Sequence, residues 1–97
     1  MTSKKEEQKP LKKYLMYKIL ITQRALRDIE KLDVPTKKRL KEKLELFSAN
    51  PLFYAKKLIN PKIGTYRFRI GDFRIIFDIV DDSIVLLRVG HRHSIYK

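Results

Sequence analysis

The stretch YRFRIGDFRIIF, residues 66–77, alternates basic and large apolar side chains on both sides of a Gly-Asp pair. Alternation is the period of a strand with one buried face. A two-residue loop with glycine first suits a type II′ hairpin turn. That loop sets the register: Ile70 opposite Phe73, Arg69 opposite Arg74, Phe68 opposite Ile75. Tyr66, Phe68, Ile70, Phe73, Ile75, Phe77 and Ile79 then share one face, which has to be the core. Arg67, Arg69 and Arg74 share the other and point outward. Like charges directly opposite each other in a sheet are unfavourable, so this face asks for an anion.

The rest of the chain must cover the apolar face. YKILI, residues 17–21, reads as a short buried strand. Thr22 is placed to cap a helix, TQRALRDIEKL, whose Ala25, Leu26, Ile29 and Leu32 repeat at helical spacing. Asp33-Val34-Pro35 breaks it, and Pro35 suits the first turn of a second helix with a Leu40, Leu44, Phe47 stripe. The two make an antiparallel helical hairpin with a common apolar side, ended by Asn50-Pro51. Lys37, Lys38, Arg39, Lys41 and Lys43 surround the second stripe and read as a solvated face with auxiliary RNA contact at most. Residues 51–64 form a connection that carries Lys56 and Lys57.

The last strand, near residues 84–91 in SIVLLRVGHR, admits two registers. A two-residue Asp81-Asp82 loop would bury Arg88 opposite Ile75. A three-residue loop over 81–83 turns Val85, Leu87 and Val89 inward and puts Arg88 and Arg92 on the arginine side. The second is preferred because it removes a buried charge. The fold expected is α+β: a small antiparallel-rich twisted sheet with an N-terminal strand, an antiparallel helical hairpin on one face, and a basic opposite face. Residues 17–97 make one domain, preceded by a polar, Lys-rich extension over 1–16 that is expected to be mobile.

Charge and residue usage narrow the function. The formal charge of +12 points to a polyanion or an acidic protein as partner. Cysteine is absent, which excludes disulfides, thiolate zinc sites and a cysteine nucleophile. His91 and His93 are the only histidines, too few for a convincing metal site, so no metal or cofactor is expected. No apolar run approaches a membrane span and no secretory h-region is visible, so the cytoplasm is the expected compartment. The outward arginines could simply solvate an open sheet face. Against that, Asp78 is the one nearby carboxylate, and arginine is the side chain best shaped to grip phosphate. In GHRHSIYK, His91 and His93 add side chains capable of proton chemistry, and Tyr96 lies beside the arginine cluster.

Taken together, YKILITQRALRDIEKL, the KKL of the connection, GTYRFRIGDFRIIFDI and VLLRVGHRHSIYK resemble the RelE/ParE superfamily of toxin–antitoxin toxins, in its RelE-like mRNA interferase branch. The resemblance covers about residues 17–97. It implies a metal-independent, ribosome-dependent endoribonuclease that cuts mRNA in the ribosomal A site and inhibits translation. On that basis Arg67, Arg69, Arg74, Arg92 and Tyr96 are the expected catalytic set, and Lys56, Lys57, Arg88, His91 and His93 the expected RNA contacts. Well-known members carry lysines at the positions of Arg67 and Arg69. Arginine is a poor base, so Tyr96 or a histidine is the candidate base; alternatively Tyr96 stacks on an mRNA base. The implied partners are ribosome and mRNA, and a cognate, acidic, RelB-like antitoxin that forms a heterocomplex over the basic face, with Ile76, Ile84 and Leu86 as apolar anchors. Two other readings stand beside this one: a ParE-like inhibitor of DNA gyrase, and a non-catalytic RNA-binding protein.

Overall fold

The computed structural model describes residues 16–58 and 63–95. Tyr96 and the expected extension, apart from Met16, lie outside the described residues. The chain runs β1 (Lys18–Ile21), α1 (Gln23–Glu30), α2 (Val34–Ser48), α3 (Pro51–Tyr54), β2 (Lys56–Lys57), β3 (Tyr66–Ile70), β4 (Phe73–Val80) and β5 (Ser83–His91). The strands form one five-stranded sheet in the order β1-β5-β4-β3-β2. β1 runs parallel to β5, and the other pairings are antiparallel. The architecture is the expected α+β one, and the sheet is mostly antiparallel.

Local chemistry starts α1 and α2 where the sequence marks them. Thr22 has extended backbone, and its hydroxyl oxygen accepts from Ala25 N at 3.2 Å. The same hydroxyl donates to Leu86 O at 2.8 Å, so one side chain both begins α1 and pins it to β5. Asp33 caps α2 by accepting from Thr36 N at 3.0 Å, with proline in the first turn. The helices lay Ala25, Leu40, Leu44 and Phe47 against the sheet. Phe47 meets Phe68 at 4.6 Å between ring centroids, and Phe68 stacks on Phe77 at 4.1 Å.

The β3–β4 hairpin has the expected register, with Ile70 opposite Phe73, Arg69 opposite Arg74 and Phe68 opposite Ile75. Gly71 has φ 58°, as the first position of the turn requires. The β4–β5 register differs from the expected one. The loop is the two-residue Asp81-Asp82 one after all, with Val80 opposite Ser83 and Ile79 opposite Ile84. Asp81 takes the left-handed conformation at φ 55°, which a short polar side chain tolerates. Ile84 and Leu86 are therefore fully buried in the core, whereas Val85 and Leu87 were expected there. A bulge then shifts the register between Ile76 and Phe77 of β4, so that Phe77 faces Leu86 while Ile76 faces Arg88. Leu87 is the extra residue, and Val89 returns to the core. Arg88 escapes the core through this bulge and not through the loop.

Two further differences concern the connection over 51–64. It contains the short helix α3, opened by Pro51, and the edge strand β2. The sheet face away from the helices is also less open than alternation suggests. A Cβ on Gly64 would run into Ile76 Cγ2 and lie 3.0 Å from Leu87 Cδ1, so the chain at Gly64 sits directly over Ile76. Ile76 is consequently buried despite its outward position. Ile76, Ile84 and Leu86 are all inaccessible, so none serves as an anchor for a partner.

Candidate functional site

The ladder pairings place the basic residues on the face away from the helices. One cross-strand row runs Lys56, Arg67, Ile76, Arg88 over β2, β3, β4 and β5. The next runs Arg69, Arg74, Gly90. Cβ atoms of directly opposite residues lie only about 5 Å apart. Lys56, Arg67, Arg69 and Arg74 are thus brought together. Lys57 pairs with Tyr66 and alternates to the other side of the edge.

Within this face the arginines have different surroundings. Arg69 is exposed and Arg67 half-buried. Arg74 is only 6% exposed, contrary to its expected outward position. Its Nη1 donates to Gly71 O and to Phe73 O, both at 2.9 Å, and so clasps the carbonyls of the hairpin turn. Arg39 of α2 approaches the same turn: its guanidinium nitrogens lie 3.2 and 3.3 Å from where a Cβ on Gly71 would be. In the sequence Arg39 was indistinguishable from the surrounding α2 lysines; only the packing of α2 over the hairpin singles it out.

Arg88 is held away from the cluster. Its Nε donates to Asp28 Oδ2 at 2.8 Å, and the same oxygen accepts from Val89 N at 2.9 Å. Burial pushes the Asp28 carboxyl up; the hydrogen bonds from Arg88 and Val89 and the charges of Arg88 and Arg24 outweigh it and hold the group below its usual value. Asp28 thereby satisfies the edge of β5 beyond the end of β1. The α1 sequence carries no sign of this role.

The C-terminal turn closes the hairpin end of the face. Arg92 N donates to Asp72 O at 2.7 Å, and Arg92 Nε lies 3.7 Å from Asp72 Oδ1. These contacts set Arg92 beside the hairpin turn that Arg74 clasps. Ser94 N and Ile95 N both donate to His91 O at 3.0 Å. This brings Ile95 over Gly90, the ladder partner of Arg74, where its Cβ lies 3.5 Å from a glycine Cβ position, and buries it. His91 pairs with Phe73, on the helix side of the sheet, and its ring stacks on His93 at 4.9 Å. His91 Nδ1 accepts from His93 N at 3.2 Å, which leaves Nε2 as the nitrogen able to carry the proton. Among the described residues no three His, Asp or Glu side chains converge as metal ligands.

A second feature lies on the helix side. An apolar groove of about 340 Å³ runs between β1, α1 and α2, floored by Ile19, Ile21, Ile29, Leu40 and Leu44 and rimmed by Lys37, Lys41 and Glu45.

Residues 19–96 match the family of the ParE toxin of type II toxin–antitoxin systems, parDE. The chain is 32% identical over 83 residues to toxin RelE3 of Methanocaldococcus jannaschii, spanning 81% of this chain and 94% of that protein. Its fold superposes with TM-score 0.72 and 32% identity on a chain of the toxin–antitoxin complex RelBE2 from Mycobacterium tuberculosis, covering 79% of this chain and 99% of that one. A mutant of E. coli toxin RelE in the free state shares the fold at TM-score 0.70 and 22% identity, over 84% of this chain and 88% of that one. The sheet, its helical cover and these matches over most of the chain lead to one assignment: the chain belongs to the RelE/ParE superfamily of toxins from type II toxin–antitoxin systems.

Proposed function

We propose that this toxin is a ribosome-dependent endoribonuclease that cleaves mRNA in the ribosomal A site and thereby blocks translation. The observation that carries the reading is the basic sheet face, where Lys56, Arg67, Arg69 and Arg74 fall on adjacent rows with Arg92 at their hairpin end. In the proposed reaction the ribose 2′-oxygen attacks the adjacent phosphorus in line. The P–O5′ bond breaks, leaving a 2′,3′-cyclic phosphate and a 5′-hydroxyl. Guanidinium groups stabilise the charge that develops on the phosphoryl oxygens. A base takes the 2′-OH proton, and an acid protonates the departing 5′-oxygen. Tyr96 is the candidate for these transfers; His91, paired with Phe73 on the helix side and stacked on His93, faces away from the arginines. Arg74, clasping Gly71 O and Phe73 O, holds the turn against which Arg92 rests. Without a self-sufficient acid/base pair among the described residues, the chemistry depends on the ribosome to orient the message.

The relative of known structure with TM-score 0.72 is a toxin–antitoxin complex, and the proposed partner here is likewise an antitoxin, acidic to match the +12 charge of this chain. Its apolar anchors have a floor in the Ile19–Leu44 groove, and the Lys37 and Lys41 rim suits acidic neighbours on an amphipathic segment.

The test is the purified chain with programmed ribosomes, read by primer extension on the mRNA. Cleavage is expected only with ribosomes and should persist in EDTA under conditions that keep ribosomes intact. Arg92→Ala should lower the single-turnover rate more than ribosome affinity. If Tyr96 moves a proton, Tyr96→Phe should be as damaging as Tyr96→Ala. Equal cutting of naked RNA would overturn ribosome dependence. Intact mRNA together with inhibited gyrase supercoiling would favour the ParE-like reading instead.

A further inference from the structure

Phe53 is 75% exposed, and nothing in the core accounts for its being there. The ring is not on a loose segment. α3 is fastened from its other side: Pro51 is buried, and Tyr54 packs on Phe47 of the core with centroids 4.7 Å apart. Phe53 N donates to Asn50 O at 3.1 Å, and Ala55 N to Pro51 O at 2.9 Å. The Phe53 ring meets Tyr54 edge-on at 5.0 Å, which orients it. A firmly mounted phenyl ring therefore projects into solvent, with Leu52, 55% exposed, beside it.

The chain leads from this ring onto the arginine face. After Ala55 comes β2, an edge strand of the sheet. Lys56 pairs with Arg67 and begins the basic row; Lys57 pairs with Tyr66 and turns to the other side of the edge. Both lysines are exposed, and together they straddle the edge between Phe53 and the arginines.

We infer that Phe53, with Lys56 and Lys57, forms a stacking subsite for an unpaired base of single-stranded RNA, where the strand leaves the arginine face around the β2 edge. The inference rests on the reading of that face as an RNA interface. A protruding aromatic ring flanked by cations is the arrangement that binds single strands, because every base has a face to stack and every linkage a phosphate to neutralise. A peptide partner would need a concave apolar floor. The molecule offers one in the Ile19–Leu44 groove, which Phe53 does not line.

The chain has no tryptophan, so Phe53→Trp installs a single local reporter. The full-length variant is titrated with a fluorophore-labelled, unstructured poly(U) oligonucleotide. Anisotropy reads total binding and indole emission reads the subsite. Emission should be quenched in step with the rise in anisotropy. Phe53→Ala should weaken the affinity about tenfold, within the range known for stacking on one base. Phe53→Leu, apolar but unable to stack, should be as weak as Phe53→Ala. Normal anisotropy with an unquenched indole, or wild-type affinity in Phe53→Leu, overturns the subsite and leaves the arginine face standing. No anisotropy change with wild-type protein, or one that Arg69→Ala leaves unaltered, overturns the RNA reading of the face and the subsite with it.

Discussion

A guanidinium stays charged throughout the physiological pH range, so what each arginine does depends on what faces it. Arg69 faces solvent, Arg74 faces two turn carbonyls, and Arg88 faces a carboxylate. Replacing Arg69 with alanine should move stability by no more than about 0.5 kcal/mol, because no buried contact is lost. Arg74→Ala should cost about 2 kcal/mol, since it removes charge-assisted bonds in a buried setting. Urea denaturation of the two variants separates them, and equal midpoints would show that the Arg74 clasp contributes nothing. Asp28 adds a pH dependence of known sign. Its folded pKa lies below the ordinary 3.8, so the unfolded chain binds the proton more readily. The stability it contributes is complete above that ordinary value and is lost as pH falls through the folded pKa. Asp28→Asn should therefore cost about 1.5 kcal/mol at neutral pH, with the gap to wild type closing in strong acid. A gap that stays constant across both conditions would mean that Asp28 acts by shape alone.

At the scale of elements, the bulge in β5 and the chain at Gly64 act together. Residues Ile84 to Leu87 are apolar without a break, so no strict alternation can place all of them well. The two-residue loop buries Ile84 and Leu86 on the helix side, and the bulge leaves Leu87 opposite, against Gly64 and Ile76, and returns Val89 to the core. Gly64 has φ 153°, and any Cβ there collides with Ile76. Gly64→Ala should lower stability by about 3 kcal/mol, combining backbone strain with overpacking. It should also raise the proteolytic susceptibility of the neighbouring connection. Thermal melting with limited proteolysis checks this, and a wild-type melting temperature would mean that the segment does not rest on Ile76. The helical hairpin is simpler: Thr22 and Asp33 set where its helices start, and the apolar stripes set which way they face.

For the molecule as a whole, the +12 charge matters through its distribution. The row from Lys56 through Arg67, with Arg69 beside it, gathers cations on the face that the helices leave uncovered. Single-strand binding to that face should weaken with salt, each neutralised phosphate adding about 0.7 to the slope of log affinity against log salt. Arg69→Ala should lower that slope by about this amount, whereas Glu45→Gln, on the far side at the groove, should leave it unchanged. Titration over a salt series decides, and equal slopes for wild type and Arg69→Ala would remove Arg69 from the interface.

Several features were legible in the sequence because they are local. The Gly71-Asp72 turn sets the β3–β4 register by its own geometry, and that register alone puts Arg67, Arg69 and Arg74 on one row system. The cap at Thr22 depends on a hydroxyl reaching an amide three residues on, whereas Asp33, read only as part of a helix break, proves to be the cap of α2. Motif resemblance carried the family assignment. The β5 register was not legible, because a continuous apolar run satisfies either parity and the bulge reconciles two faces that only the assembled sheet presents. Nor was the partner of each cation. Arg88 finds Asp28 sixty residues away in sequence, and Arg74 is buried where the chain folds back and sets Ile95 over Gly90. Periodicity determines which side of a strand a residue occupies. Only tertiary packing decides which oxygen an arginine on that side will meet, because the competing oxygens come from parts of the chain with no local relation to it.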